Sequence, residues 1–118
     1  MKYVLDLNDR PFNAIKAGIK KIEGRTPTSW DKNPYDKFQK GDTIHFINNV
    51  TNEEMDVDVI FVHHYSDTRS MLEAEGAENV LSGEPKTIEH GIESYNSFQG
   101  YKEGIIQNGI YAIGVKPL

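Results

Sequence analysis

Gly18-Ile19-Lys20-Lys21-Ile22-Glu23-Gly24-Arg25 is the stretch on which the reading of this chain turns. It joins a helical pattern to an extended one. Upstream, Tyr3-Val4-Leu5-Asp6-Leu7 reads as a short strand. Asn8-Asp9-Arg10-Pro11 follows, with cap candidates and a proline suited to the first helical position. Phe12, Ile15 and Ile19 recur at spacings that put them on one helix face. Gly18 is the helix stop, because glycine takes the left-handed conformation past a helix end without a Cβ penalty. From Ile19 to Arg25 the chain reads as a strand. Strand alternation puts Lys21, Glu23 and Arg25 on one face and Lys20, Ile22 and Gly24 on the other. Glu23 between cations stays ionised and holds the arginine fork. That fork suits phosphate or carboxylate, and Gly24 lets a backbone or flat ligand come close.

Further along, Thr26 to Lys40 has two prolines, Trp30 and scattered charges without period, and reads as a loop. Gly41-Asp42 turns into a β-branched strand, Thr43 to Ile47. Met55, Val57, Val59 and Phe61 alternate as a second strand, closed by His63, His64 and Tyr65. Ser66 or Asp67 caps a helix from Thr68 to Glu75, and a short turn ends at Val80 and Leu81. Another helix opens at Thr87, with Ile88, Ile92, Tyr95 and Phe98 as an inner stripe. Ile110 to Val115 is the last strand. The order of strand, helix, three strands, helices and strand argues against a doubly wound parallel sheet. It favours a small, mostly antiparallel β-barrel with helices over its ends, α+β and mainly β.

The 118 residues form a single domain, 1–118. No apolar run approaches ~20 residues, so no membrane span is expected, and the first residues do not read as a signal peptide. Cysteine is absent, which excludes disulfides, thiolate nucleophiles and Cys-ligated zinc, and fits a cytoplasmic setting. The net charge of −5 argues against a binder of long duplex nucleic acid. Its distribution is uneven: residues 10–40 hold eight Lys and Arg against three acids, and residues 41–118 hold four against thirteen. A basic third on an acidic body makes a local anion site if the fold gathers it. No metal is expected, since adjacent His63 and His64 on a strand point to opposite faces and His45 and His90 add no ligand spacing. No cofactor is expected either, as phosphate-loop and dinucleotide motifs are absent.

The octet resembles the Gly-x-Lys-x-x-Glu-x-Arg hallmark of the ASCH (activating signal cointegrator homology) domain. Pro11-Phe12-x-x-Ile15-Lys16 before it, Gly41-Asp42-x-Ile44-x-Phe46 after it, Tyr65, and Gly109-Ile110-Tyr111-Ala112-Ile113 are also similar to that family. The likeness runs in order over nearly the whole chain. It implies a PUA-like barrel of five to six mostly antiparallel strands, with a helix after the first strand and helices before the last. It also implies a cleft between barrel and first helix, floored by the octet, that takes RNA, a nucleotide or a modified nucleoside.

Within that frame Gly18, Lys20, Lys21, Glu23, Arg25, Trp30 and Tyr95 are the candidate ligand-binding residues. Lys20 is either a cation or base in a partly desolvated cleft, or a surface lysine on a turn. Glu23 and Arg25 either orient a ligand or fix the strand as an ion pair. Trp30 either stacks on a base or plugs the barrel end. Tyr95 packs in the core or directs its hydroxyl into the cleft. Asp42 reads as a turn former. The alternative function is a small hydrolase, a ribonuclease or modified-nucleoside amidohydrolase, with Lys20 and Glu23 as catalytic residues. Family members that deacetylate acetylcytidine carry a threonine where this chain has Glu23, and pair it with a distant glutamate. Here Glu75 or Glu78 would have to be that partner. The sequence sets no oligomeric state.

Overall fold

The computed structural model describes Met1 to Leu118. Five strands, β1 (Lys2–Leu7), β2 (Ile22–Arg25), β3 (Thr43–Asn48), β4 (Glu54–Tyr65) and β5 (Ile110–Pro117), form one sheet in the order β1-β3-β4-β5-β2. β1 runs parallel to β3, and the other three pairings are antiparallel. The register of β4 on β5 shifts between Val59 and Phe61, and such a bulge bends its strand and increases local twist. The curled sheet is a half-barrel whose backbone edges are β1 and β2. This is the small, mostly antiparallel architecture, α+β and mainly β, that the element order leads one to expect, and it agrees with the PUA-like barrel that the resemblance implies. No helix is long and apolar enough to cross a membrane.

Alternation along β5 divides the interior in two. Ile113 and Val115 join Leu5, Phe12, Ile15, Ile44, Phe46 and Val57 inside the curl. Ile110 and Ala112 point the other way, onto Ile22, Met71, Leu72, Val80 and Ile105. The first core seats helix α1 (Asp9–Lys16), and the second is roofed by α2 (Thr68–Glu75), α3 (Ala77–Val80), α4 (Ile88–Ser97) and α5 (Tyr101–Asn108). Asp67 caps α2 by accepting from the Ser70 N–H at 2.8 Å, and Thr87 caps α4 by accepting from the His90 N–H at 3.2 Å.

Four expectations need correction. Ile19 is not on the buried face of α1: the helix has ended, Gly18 takes φ +79°, and Ile19 is exposed. Pro11 occupies the third helical position, not the first. Phe98 is exposed rather than inward, since α4 stops at Ser97. Helix α5 escaped the periodicity because Gly104 interrupts it and Ile105 and Ile106 are adjacent. Gly104 is there for space, as a Cβ would lie 2.5 Å from the Pro27 carbonyl oxygen.

Candidate functional site

The turn after α1 decides where the octet's side chains go. The Ile19 and Lys20 N–H groups both donate to the Ala14 carbonyl, at 2.9 and 3.1 Å, so the chain reverses tightly before β2 begins. Lys20 therefore precedes the strand and does not obey strand alternation. Its side chain is 4% exposed and turns toward Glu23 instead of away from it. The ammonium donates to the Ile22 carbonyl at 2.6 Å and to the Val80 carbonyl at the end of α3, and lies 3.5 Å from Glu23 Oε1. Burial lowers its pKa below the ordinary lysine value, while the Glu23 carboxylate pulls the other way.

The other carboxylate oxygen, Glu23 Oε2, accepts from Arg25 Nε at 2.7 Å. Arg25 Nη1 donates to the Tyr35 hydroxyl at 3.2 Å, and Nη2 donates to the Asp6 carbonyl at 2.6 Å. Burial is the largest single influence and opposes the guanidinium charge, but Glu23 and the other groups around it together outweigh it, and Arg25 is held protonated. Glu23 thus lies between two cations, with its carboxylate shared by both.

This triad floors a cleft of about 560 Å³. Asp6, Leu7, Asn8, Arg10 and Pro11 form one wall, residues 80–83 a second, and α4 with the start of α5 a third. Tyr95 closes on the floor, where a Cβ on Gly24 would lie 2.5 Å from its hydroxyl oxygen. Its ring lies nearly parallel to Tyr101 (20° between planes), and Phe98 meets both edge-on at 5.7 and 5.4 Å. Burial raises the Tyr95 hydroxyl well above the ordinary tyrosine pKa and pushes Tyr101 up to about 12, so both are neutral. At the mouth the Arg10 guanidinium crosses Gly83, where a Cβ would lie 2.6 Å from Nη1. Arg10 forms no ion pair, unlike Lys20 and Arg25.

The sequence candidates divide accordingly. Lys20, Glu23, Arg25 and Tyr95 line one cleft, whereas Gly18, Lys21 and Trp30 lie outside it. Lys20 is not a surface lysine, and Trp30, 67% exposed, does not plug the barrel. Glu75 accepts from His63 Nδ1 at 2.6 Å and from the Tyr65 hydroxyl, and neither it nor Glu78 lines the cleft, so no second glutamate joins Glu23 there. Asp42 is a turn residue and accepts from the Gln39 N–H at 2.9 Å. Arg10, Phe98 and Tyr101 were missed. Arg10 read only as helix-start punctuation, Phe98 as core, and Tyr101 lay in the unrecognised helix.

A curled half-barrel with a helix-walled polar cleft defines the class of PUA-like small domains. The ASCH domain model matches residues 5–118, and the chain belongs to the ASCH family. Two solved structures resemble it along its whole length. Hypothetical protein PH0355 is 34% identical with TM-score 0.81, and each chain is fully covered. Protein PF0455 from Pyrococcus furiosus is 34% identical with TM-score 0.74, covering 100% of this chain and 98% of its own. No match was found among curated proteins.

Proposed function

We propose that the protein binds RNA by taking one nucleotide unit into the cleft between α1 and α4–α5. The observation that carries this reading is the pairing of an ion-paired polar floor with an aromatic wall and one uncommitted cation. The volume, about 560 Å³, is that of a small-ligand site. Phe98 and Tyr101 offer π-faces for a base, and stacking of this kind is sequence-tolerant. Lys20 and Arg25 have spent most of their donors within the protein, so they hold the floor rigid. The phosphate falls to Arg10, whose planar fork is free to bond two oxygens. Titration with AMP by calorimetry tests this. Arg10→Ala is expected to weaken binding about 10-fold or more, the scale of a charged hydrogen bond. Equal affinity in the variant would remove the phosphate role.

The hydrolase reading is favoured by a single observation, the buried Lys20 ammonium 3.5 Å from Glu23. In that reading Glu23 accepts a proton from water and Lys20 stabilises developing negative charge. Incubation with modified nucleosides and short RNAs, followed by mass spectrometry, separates the two: a binder returns them unchanged, and an enzyme releases product that Glu23→Gln abolishes.

A further inference from the structure

Trp30 is left unused by the cleft, and its setting is specific. Two-thirds of its surface is exposed, yet the indole does not hang free. It packs against the backbone of Gly100, where a Cβ would stand 3.0 Å from two ring carbons. Its loop is pinned by Thr28, whose Oγ1 accepts from the N–H groups of Trp30 and Asp31 at 3.1 and 3.0 Å. Asp31 in turn accepts from the Tyr35 hydroxyl at 2.5 Å and lies 3.8 Å from Arg25 Nη1. The platform is therefore fixed to the floor of the main cleft through Arg25.

A second hollow of about 500 Å³ opens beside the indole, with Lys32, Glu103 and Gln107 in its lining. It shares the 98–101 segment with the first. Phe98, Gln99 and Tyr101 line the main cleft, and the intervening Gly100, at φ +79°, lines this one. The indole packs on that same glycine, so the aromatic platform adjoins the segment that walls the main cleft. The hollow has one cation, Lys32, and one carboxylate, Glu103, so charge does not favour a phosphate-rich groove. What it offers is a preorganised aromatic face beside hydrogen-bonding amides.

We propose that single-stranded RNA uses Trp30 as a second subsite, stacking the base adjacent to the nucleotide held in the main cleft. This rests on the nucleotide reading of that cleft, and it makes the preferred ligand an oligonucleotide rather than a free nucleotide. Trp30 is the sole tryptophan, so its emission reports the contact directly. Hexaadenylate is expected to quench that emission and to bind about 5- to 150-fold more tightly than AMP, the worth of one base–aromatic stack. AMP filling the main cleft should leave the emission unchanged. Trp30→Ala should abolish the advantage of hexaadenylate without altering AMP affinity, and Trp30→Phe should restore part of it. Saturating hexaadenylate without quenching, or an undiminished advantage in Trp30→Ala, would overturn the proposal. The two readings fail separately: quenching by hexaadenylate with no binding of AMP keeps the indole subsite and removes the main-cleft reading.

Discussion

Glu23 is the residue on which the floor depends, because one carboxylate neutralises Lys20 and orients Arg25. Removing Lys20 leaves Glu23 paired with Arg25, but it strands the buried Ile22 and Val80 carbonyls. Lys20→Met is therefore expected to cost about 2–5 kcal/mol in urea denaturation, at about 1–3 kcal/mol for each carbonyl left without its donor. A loss under about 1 kcal/mol would show that the ammonium is not integral to the fold. Gly24 is required for space and not for torsion. Gly24→Ala brings a methyl to 2.5 Å from the Tyr95 hydroxyl and 3.0 Å from its ring carbon Cζ. The tyrosine must shift, at about 1–3 kcal/mol, and AMP affinity should fall with it. Unchanged affinity in this variant would separate Tyr95 from the site.

At the scale of elements, β1 and β2 share no backbone ladder, and the Arg25 fork spans the gap between them by reaching Asp6. Lysine cannot reproduce that fork. Arg25→Lys should accelerate amide hydrogen exchange in β1 and β2 before it does so in β4, and uniform protection would contradict the bridging role. On the β3–β4 pair, His45 sits between Asp56 at 2.6 Å and Glu54 at 2.5 Å. The hydrogen bond to Asp56, then that to Glu54, raises the His45 pKa. Its contribution is complete below the ordinary histidine pKa of about 6.5 and is lost as pH rises through the folded value. Asp56 is lowered chiefly by the same bond, so its contribution stands above the carboxylate range and is lost on acidification. Wild type should lose stability from pH 6 to pH 9, and His45→Gln should flatten that slope; parallel slopes would sink the assignment. Most elements were legible from spacing alone: the alternation of Met55 to Phe61, the Asp67 and Thr87 caps, the Gly18 stop. Helix α5 was not, since Gly104 answers to a contact with Pro27, 77 positions away in the chain.

For the whole molecule, the octet announced its chemistry but not its surroundings. The resemblance gave a cleft and its floor, whereas the Val80 carbonyl that fixes Lys20 lies 60 residues away and carries no local mark. The basic third of the sequence is only partly gathered: Arg10, Lys20 and Arg25 reach the cleft, and Lys16, Lys21, Lys32, Lys37 and Lys40 do not line it. With one free cation at the mouth and a net charge of −5, RNA binding should depend weakly on salt. One or two phosphate contacts give a log–log slope of roughly −0.7 to −1.4 for a single strand, and a slope several times steeper would mean that a groove elsewhere holds the backbone. The most direct measurement is an amide chemical-shift titration of the labelled protein with AMP. Saturable shifts gathered at Arg10, Gly24, Gly83, Tyr95 and Tyr101 are the expected result. Saturation that leaves those five amides unmoved would contradict a nucleotide site on the octet's floor.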